Sequence, residues 1–155
     1  MTDRPTAGAH RWRFFRSGGF DQVRIETVDD LQAAPDVMRA LFADPVKAVW
    51  LENPGSLTFE VCDIPALAAI ARQHGAVSMV DNTWASPLGF AALEHGCDIV
   101  MMSLSKHVGG HSDLMMGSAS AGKRWYTALR RVSHELGQVV SPDDAALAAR
   151  GLRTM

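Results

Sequence analysis

Short apolar runs alternate with helical segments from position 47 onward, and that alternation leaves few folds open. Lys47–Leu51, Val77–Val80 and Asp98–Met102 read as strands. Between the first two, Asp63–His74 reads as a helix: Asp63 can cap it, Pro65 suits its first turn, and Leu67, Ile70 and Ala71 share one face. Pro87–His95 reads as a short helix, closed by Gly96 just past its end. A strand near Leu114–Ala119 follows. A long helix then runs from Gly122 to Leu136, with Trp125, Leu129 and Val132 on one face. The last helix is Asp143–Arg150, capped by Ser141 with Pro142 at its first position. Short apolar strands separated by helices imply an α/β fold with a largely parallel sheet covered on both faces.

Composition bounds what such a body can do. The 155 residues suit one domain, and 47% apolar residues are enough to build a core. No apolar run approaches the roughly 18 residues that span a bilayer, so no membrane partner is expected. A net charge of −2 argues against nucleic acid as a partner. The basic cluster His10–Arg16 interleaves Trp12, Phe14 and Phe15 and reads as an amphipathic segment. There is no signal-peptide pattern, and Cys62 and Cys97 lie in separate apolar contexts without metal-ligand spacing. Reduced thiols in a cytoplasmic protein are the expectation.

The chemistry concentrates at two strand ends. The run Ile99–Ser105 delivers Lys106 to a polar, glycine-rich loop, His107–Asp113. A lysine amine with Ser103 and Ser105 just before it suits capture of a carbonyl, the hydroxyls holding an anionic group of the same ligand. The plainer alternative is a strand end that places Lys106 in solvent. Upstream, Asp81 follows Val77–Val80, at the carboxyl end of the preceding strand, where ligands bind in open parallel sheets. A lysine for the aldehyde and an aspartate for the ring nitrogen are what a pyridoxal phosphate site requires. Asp81 alone reads equally as a cap or turn residue.

Asp81-Asn82-Thr83-Trp84, Ser103-Leu104-Ser105-Lys106 and Gly110-His111-Ser112-Asp113 together resemble the signature of the Cys/Met-metabolism pyridoxal-phosphate enzymes, which are fold-type I enzymes of transsulfuration. Glu52-Asn53-Pro54-Gly55-Ser56, Leu136–Val140 and Arg150–Met155 point to the bacterial cystathionine β-lyase branch of that family. The resemblance covers positions 46–155. In segment 1–45 it is fainter, resting on Pro5-Thr6 and the basic-aromatic stretch after them. It implies part of the family's large cofactor domain, a mostly parallel sheet flanked by helices. It implies pyridoxal 5'-phosphate bound to Lys106, with Asp81 at the ring nitrogen and Thr83 close to the ring. Ser103 and Ser105 are implied phosphate contacts, and Ser56 is implied near the ring hydroxyl. Ser at 105 and His at 107 depart from the family's usual Thr and Tyr.

The implied reaction is β-elimination from cystathionine, a small sulfur amino acid, to homocysteine, pyruvate and ammonia. The family's γ-synthases, γ-lyases and sulfhydrylases share the same cofactor residues. At 155 residues the chain is expected to be a fragment without the family's C-terminal domain, inactive alone and part of a homo-oligomer in the full-length context. A non-catalytic remnant is one alternative. Another is a nucleotide site at Gly117–Lys123, which fits a P-loop until Arg124 stands where Ser or Thr is needed. His107, His111 and Asp113 have the makings of a metal cluster, but Gly109 and Gly110 oppose the helix that such spacing needs.

Overall fold

In the computed structural model the described residues are 13–17 and 20–24 as backbone, 34–36, 38–40, 42–43, 46–56 and 59–155. Strands β1 (Arg13–Ser17) and β2 (Phe20–Arg24) pair antiparallel as a separate two-stranded sheet. Half of the basic-aromatic cluster is thus strand backbone, while Pro5-Thr6 and His10–Trp12 lie outside the described residues.

The main sheet has four strands in chain order: β3 (Ala48–Glu52), β4 (Val77–Asp81), β5 (Ile99–Ser103) and β6 (Gly117–Ala121). The first three run parallel, as the alternating pattern implied, and β6 runs antiparallel to β5. That reversal has a simple cause. Helical segments carry the chain back between β3 and β4 and between β4 and β5, but only the non-helical lysine loop joins β5 to β6. Without a crossover the next strand must return in the opposite direction. β6 also starts later than the sequence suggested, because Ser105 holds Met116 first: its N–H donates to the Met116 carbonyl (3.2 Å) and its Oγ accepts from the Met116 N–H (2.9 Å).

Helix α1 (Ile64–Gln73) forms as read. Asp63 accepts the Ala66 N–H at 3.0 Å, and Ile64, Leu67, Ala68, Ile70 and Ala71 are buried. These side chains join Val80, Val100, Ala76, Ala92 and Cys97 in one core. Phe42 stacks on His74 with ring centroids 4.3 Å apart, closing the far end of the helix. The second crossover differs from expectation. Helix α2 covers only Ser86–Gly89; Phe90 and Ala91 follow without regular structure, and Ala92 to Gly96 form turns. The buried Asn82 side chain donates to the Phe90 carbonyl at 2.8 Å, and Phe90 is extended. A carbonyl captured from the side in this way is lost to the helix. The Phe90 and His95 rings then stack, 4.8 Å apart. Gly96 has φ +95°, the left-handed geometry expected of it.

Helices α3 (Lys123–Glu135) and α4 (Pro142–Leu152) complete the chain. Ser141 caps α4 by accepting the Asp144 N–H at 3.1 Å. α3 buries none of its residues fully, so the face expected from Trp125, Leu129 and Val132 is only partly covered. A polar anchor compensates. Asp98, just before β5, accepts from Trp125 Nε1 at 3.0 Å, from the Ser78 N–H at 3.0 Å and from Ser78 Oγ at 3.1 Å. One carboxylate therefore joins the starts of β4 and β5 to α3. No helix of the described residues is long and apolar enough to cross a membrane.

Asp98→Ala should orphan the buried Ser78 N–H and cost about 1–3 kcal/mol, read as a lower urea midpoint with early loss of the Trp125 fluorescence change. Burial pushes the Cys97 thiol up from 9.0 to about 11, with the neighbouring Asp98 charge adding to the rise and Arg72 opposing it. The folded state thus holds this proton more tightly than the unfolded chain does. The resulting stability is present below pH 9 and fades as pH rises through about 11. Urea midpoints of the wild type should fall more steeply than those of Cys97→Ala across that window.

Candidate functional site

The parallel register lines up the carboxyl ends of β3 and β4. Glu52 pairs with Asp81 across the two strands, so both carboxylates stand on the same edge and face. The Asn53 N–H donates to the Asp81 carbonyl and the Asn82 N–H to the Met101 carbonyl, carrying the chain one residue past each strand. Beyond this edge lies a cleft of about 370 Å³ lined by Glu52, Pro54, Ser56, Asp81, Thr83, Trp84, Ser103, Lys106 and His107.

Asp81 sits where β4 turns. Its Oδ1 accepts the Thr83 N–H at 2.9 Å, the turn geometry open to any Asp. Among the described residues Oδ2 has no hydrogen-bond partner, and Asp81 lines the cleft. Thr83 Oγ1 accepts the Ser103 N–H at 2.8 Å, tying the end of β5 to the loop after β4. Ser103 thereby comes to line the cleft beside Asp81. The Lys106 N–H donates to the Ser103 carbonyl at 3.2 Å, and this tight turn brings the lysine back over the strand end. Its side chain is exposed yet borders the cleft, so both readings of Lys106 describe part of what is seen. Ser56 also lines the cleft, and its Oγ donates to the Glu52 carboxylate.

Ser105 is the one sequence-derived candidate outside the cleft lining. Its hydroxyl donates to the Met116 carbonyl at 3.3 Å while accepting that residue's N–H. Alternation along the chain explains this: residues 103 and 105 share a direction only in a continuing strand, and the strand ends at Ser103.

Four lining residues, Glu52, Pro54, Trp84 and His107, carried no cofactor role in the sequence reading. Glu52 ends β3, and a strand register would have put it beside Asp81. Trp84 and His107 follow Thr83 and Lys106 directly. Their rings meet edge to face, 6.0 Å apart, and Phe59 meets Trp84 at 5.8 Å, so an aromatic strip borders the mouth. Nothing in local periodicity pairs residues 23 positions apart.

The two decoys take other forms. Gly117–Ala121 is an extended strand paired to β5, where a phosphate loop needs a curled run of free N–H groups. His111 Nδ1 contacts the Gly109 carbonyl at 2.7 Å, and Asp113 pairs with Arg150 at 2.8 Å. Among the described residues no three His, Cys, Asp or Glu side chains are grouped to hold a metal.

Thr83→Val keeps the shape of the side chain and removes the acceptor of the Ser103 N–H. It should cost about 1–3 kcal/mol and raise amide exchange at Ser103, with the Ala66 amide at the start of α1 unchanged.

The sequence pattern of the Cys/Met metabolism PLP-dependent enzymes matches residues 14–155. Escherichia coli cystathionine beta-lyase MetC is 43% identical over 111 residues, 70% of this chain and 28% of that protein. Cystathionine gamma-lyase of Dictyostelium discoideum is 39% identical over 137 residues, 88% of this chain and 34% of the relative. The crystal structure of cystathionine gamma synthase from Xanthomonas oryzae pv. oryzae superposes with a TM-score of 0.74 at 34% identity, covering 77% of this chain and 31% of that one. The chain therefore spans about 30% of the length of the relatives it matches. With the family pattern matching residues 14–155, this chain belongs to the Cys/Met metabolism enzymes that depend on pyridoxal phosphate.

Proposed function

We propose that this chain holds pyridoxal 5'-phosphate in the cleft at the ends of β4 and β5, as part of a carbon–sulfur lyase that cleaves cystathionine by β-elimination. The observation that carries the reading is the meeting of Lys106, Asp81, Thr83 and Ser103 in one cleft of about 370 Å³. Its donor set fits the cofactor: an amine for the aldehyde, a carboxylate oxygen without a partner among the described residues for the ring nitrogen, and a hydroxyl at a strand end for the phosphate. Pyridoxal phosphate, when bound, supplies an electron sink that stabilises negative charge at the substrate α-carbon.

The chain's own residues would do the rest. Lys106 Nζ would hold the cofactor through its aldehyde, and the free amine would serve as the base for the substrate α-proton. Asp81 Oδ2 would accept a hydrogen bond from the ring nitrogen and hold a proton there. Ser103 Oγ donates to the phosphate. Ser105 can join it only by turning its hydroxyl away from the Met116 carbonyl. Thr83 and Ser56 would hold the loops that border the cleft, through Ser103 and Glu52. Loss of the β-thiolate from cystathionine gives homocysteine, with pyruvate and ammonia after hydrolysis.

Support for β- over γ-elimination comes from relatives named cystathionine beta-lyase in Escherichia coli and Salmonella typhimurium, at 43% and 44% identity. The Dictyostelium gamma-lyase is 39% identical over a longer stretch of 137 residues. The reading also extends the Glu52–Ser56 segment, which resembles that of the β-lyase branch, to a cleft-lining role.

Incubation with pyridoxal phosphate, borohydride reduction and peptide mapping should place the label on Lys106, and Lys106→Ala should abolish the absorbance of the lysine-bound cofactor. Label confined to Lys47 or Lys123 overturns the assignment. In a protein carrying this chain and turning over cystathionine, pyruvate is the expected keto acid, and 2-oxobutanoate would mark γ-elimination instead. Asp81→Asn should lower that turnover by about 100-fold or more while shifting the urea midpoint little.

A further inference from the structure

The loop that carries Lys106 is held from behind by the last helix, and the contact is too close for any side chain. Gly151 is buried in α4, and a Cβ there would stand 1.8 Å from the Val108 carbonyl oxygen and 2.9 Å from its carbon. Its φ lies outside the left-handed range, so the helix backbone would accept any residue. Only space forbids one. The Val108–Gly109 peptide is equally confined on its other side. Val108 is 2% exposed, the Gly109 N–H donates to the Leu104 carbonyl at 2.7 Å, and a Cβ on Gly109 would stand 3.1 Å from that carbonyl. The Gly110 N–H donates to the carbonyl of Lys106 itself at 2.8 Å. Next to Gly151, Arg150 Nη2 donates to Asp113 Oδ2 at 2.8 Å and ties the far end of the same loop to the helix.

We infer that Gly151 is a positioning residue for Lys106: helix α4 seats on the Val108–Gly109 peptide, and the depth of that seat sets where the lysine stands over the cleft. The inference rests on the reading of Lys106 as the cofactor lysine, though the seat itself is a property of the chain without cofactor. Pushing Val108 outward cannot leave Lys106 in place, because the Gly109 and Gly110 N–H groups return to Leu104 and Lys106. The Arg150–Asp113 pair is exposed and therefore guides the seat more than it stabilises it. These residues give a task to the Gly110–Asp113 and Arg150–Met155 segments.

The test compares Gly151→Ala with the wild-type chain, first without cofactor by amide exchange and then by titration with pyridoxal phosphate. In a helix with room to spare, Ala for Gly is stabilising. Here the expected result is the reverse. Exchange at Gly109 and Gly110 should rise at least about tenfold, cofactor affinity should fall by a similar factor, and the pH midpoint of the lysine-bound absorbance should move. The Val80 and Val100 amides, in the sheet, should exchange as before. Wild-type exchange at Gly109 and Gly110, or a raised melting temperature, overturns the inference.

If Gly151→Ala does not fold, Arg150→Gln and Asp113→Asn leave the glycine contact in place. Each should raise exchange at the same two amides by about threefold, and the exchanged pair Asp113→Arg with Arg150→Asp should restore it. Unchanged exchange in both single variants overturns the inference in that case. Borohydride label away from Lys106 in the wild type would defeat the cofactor reading alone, since the amide measurements contain no cofactor.

Discussion

Strands that run the same way end on the same edge, and the site depends on that constraint. Parallel pairing of β3, β4 and β5 brings Glu52, Asp81 and Ser103 from three distant stretches of sequence to one border of the sheet. At that border each strand has lost its next ladder partner, so backbone and side-chain groups must be satisfied locally or by a ligand. Thr83 Oγ1 takes one of the orphaned donors, the Ser103 N–H. Asp81 Oδ1 takes another, the Thr83 N–H. What remains at the edge is an acceptor, a hydroxyl and an amine, facing a common cleft.

The opposite border of the same strands is finished differently. There, Asp98 gathers the Ser78 N–H, the Ser78 hydroxyl and the Trp125 indole, while its own N–H donates to Ser78 Oγ at 3.1 Å. Arg72 donates to the Gly96 carbonyl at 2.7 Å beside it. These groups satisfy one another within the chain and leave little for a ligand. The contrast between a closed amino-terminal edge and an open carboxyl-terminal one separates a structural polar cluster from the proposed binding cluster, though both are built from a strand-end Asp.

Most of the scaffold was legible because its signals are local. Asp63 and Ser141 announce their helices through a side chain three residues from the N–H they accept, and Gly96 through a backbone angle that other residues avoid. The departures all come from contacts across longer distances. Asn82 breaks the second crossover helix by reaching eight residues ahead to Phe90. Ser105 is drawn from the cleft by Met116, eleven residues on. The direction of β6 follows from a loop that lacks a helix, a feature that no property of β6 itself records. Glu52 was in plain view in its motif, but its role as the neighbour of Asp81 needs the register between two strands.

The lysine gains most from seeing these long-range contacts together. A four-carbon side chain, exposed on a glycine-rich loop, has many rotamers and a poorly fixed base. The structure removes the second uncertainty and keeps the first. The backbone at 106 is fixed by Ser103 on one side and Gly110 on the other, and the peptides beyond it are wedged between Leu104 and helix α4. The amine itself keeps its freedom. That division suits the role proposed for Lys106, to hold a ligand, release it and then meet a proton near the same point, since only the tip has to move. A rigid anchor needs close packing against backbone, and close packing against backbone needs glycine. Gly109 and Gly151 meet that need from opposite sides of one peptide. Their lack of side chains is thus as much a part of the site as the amine they position.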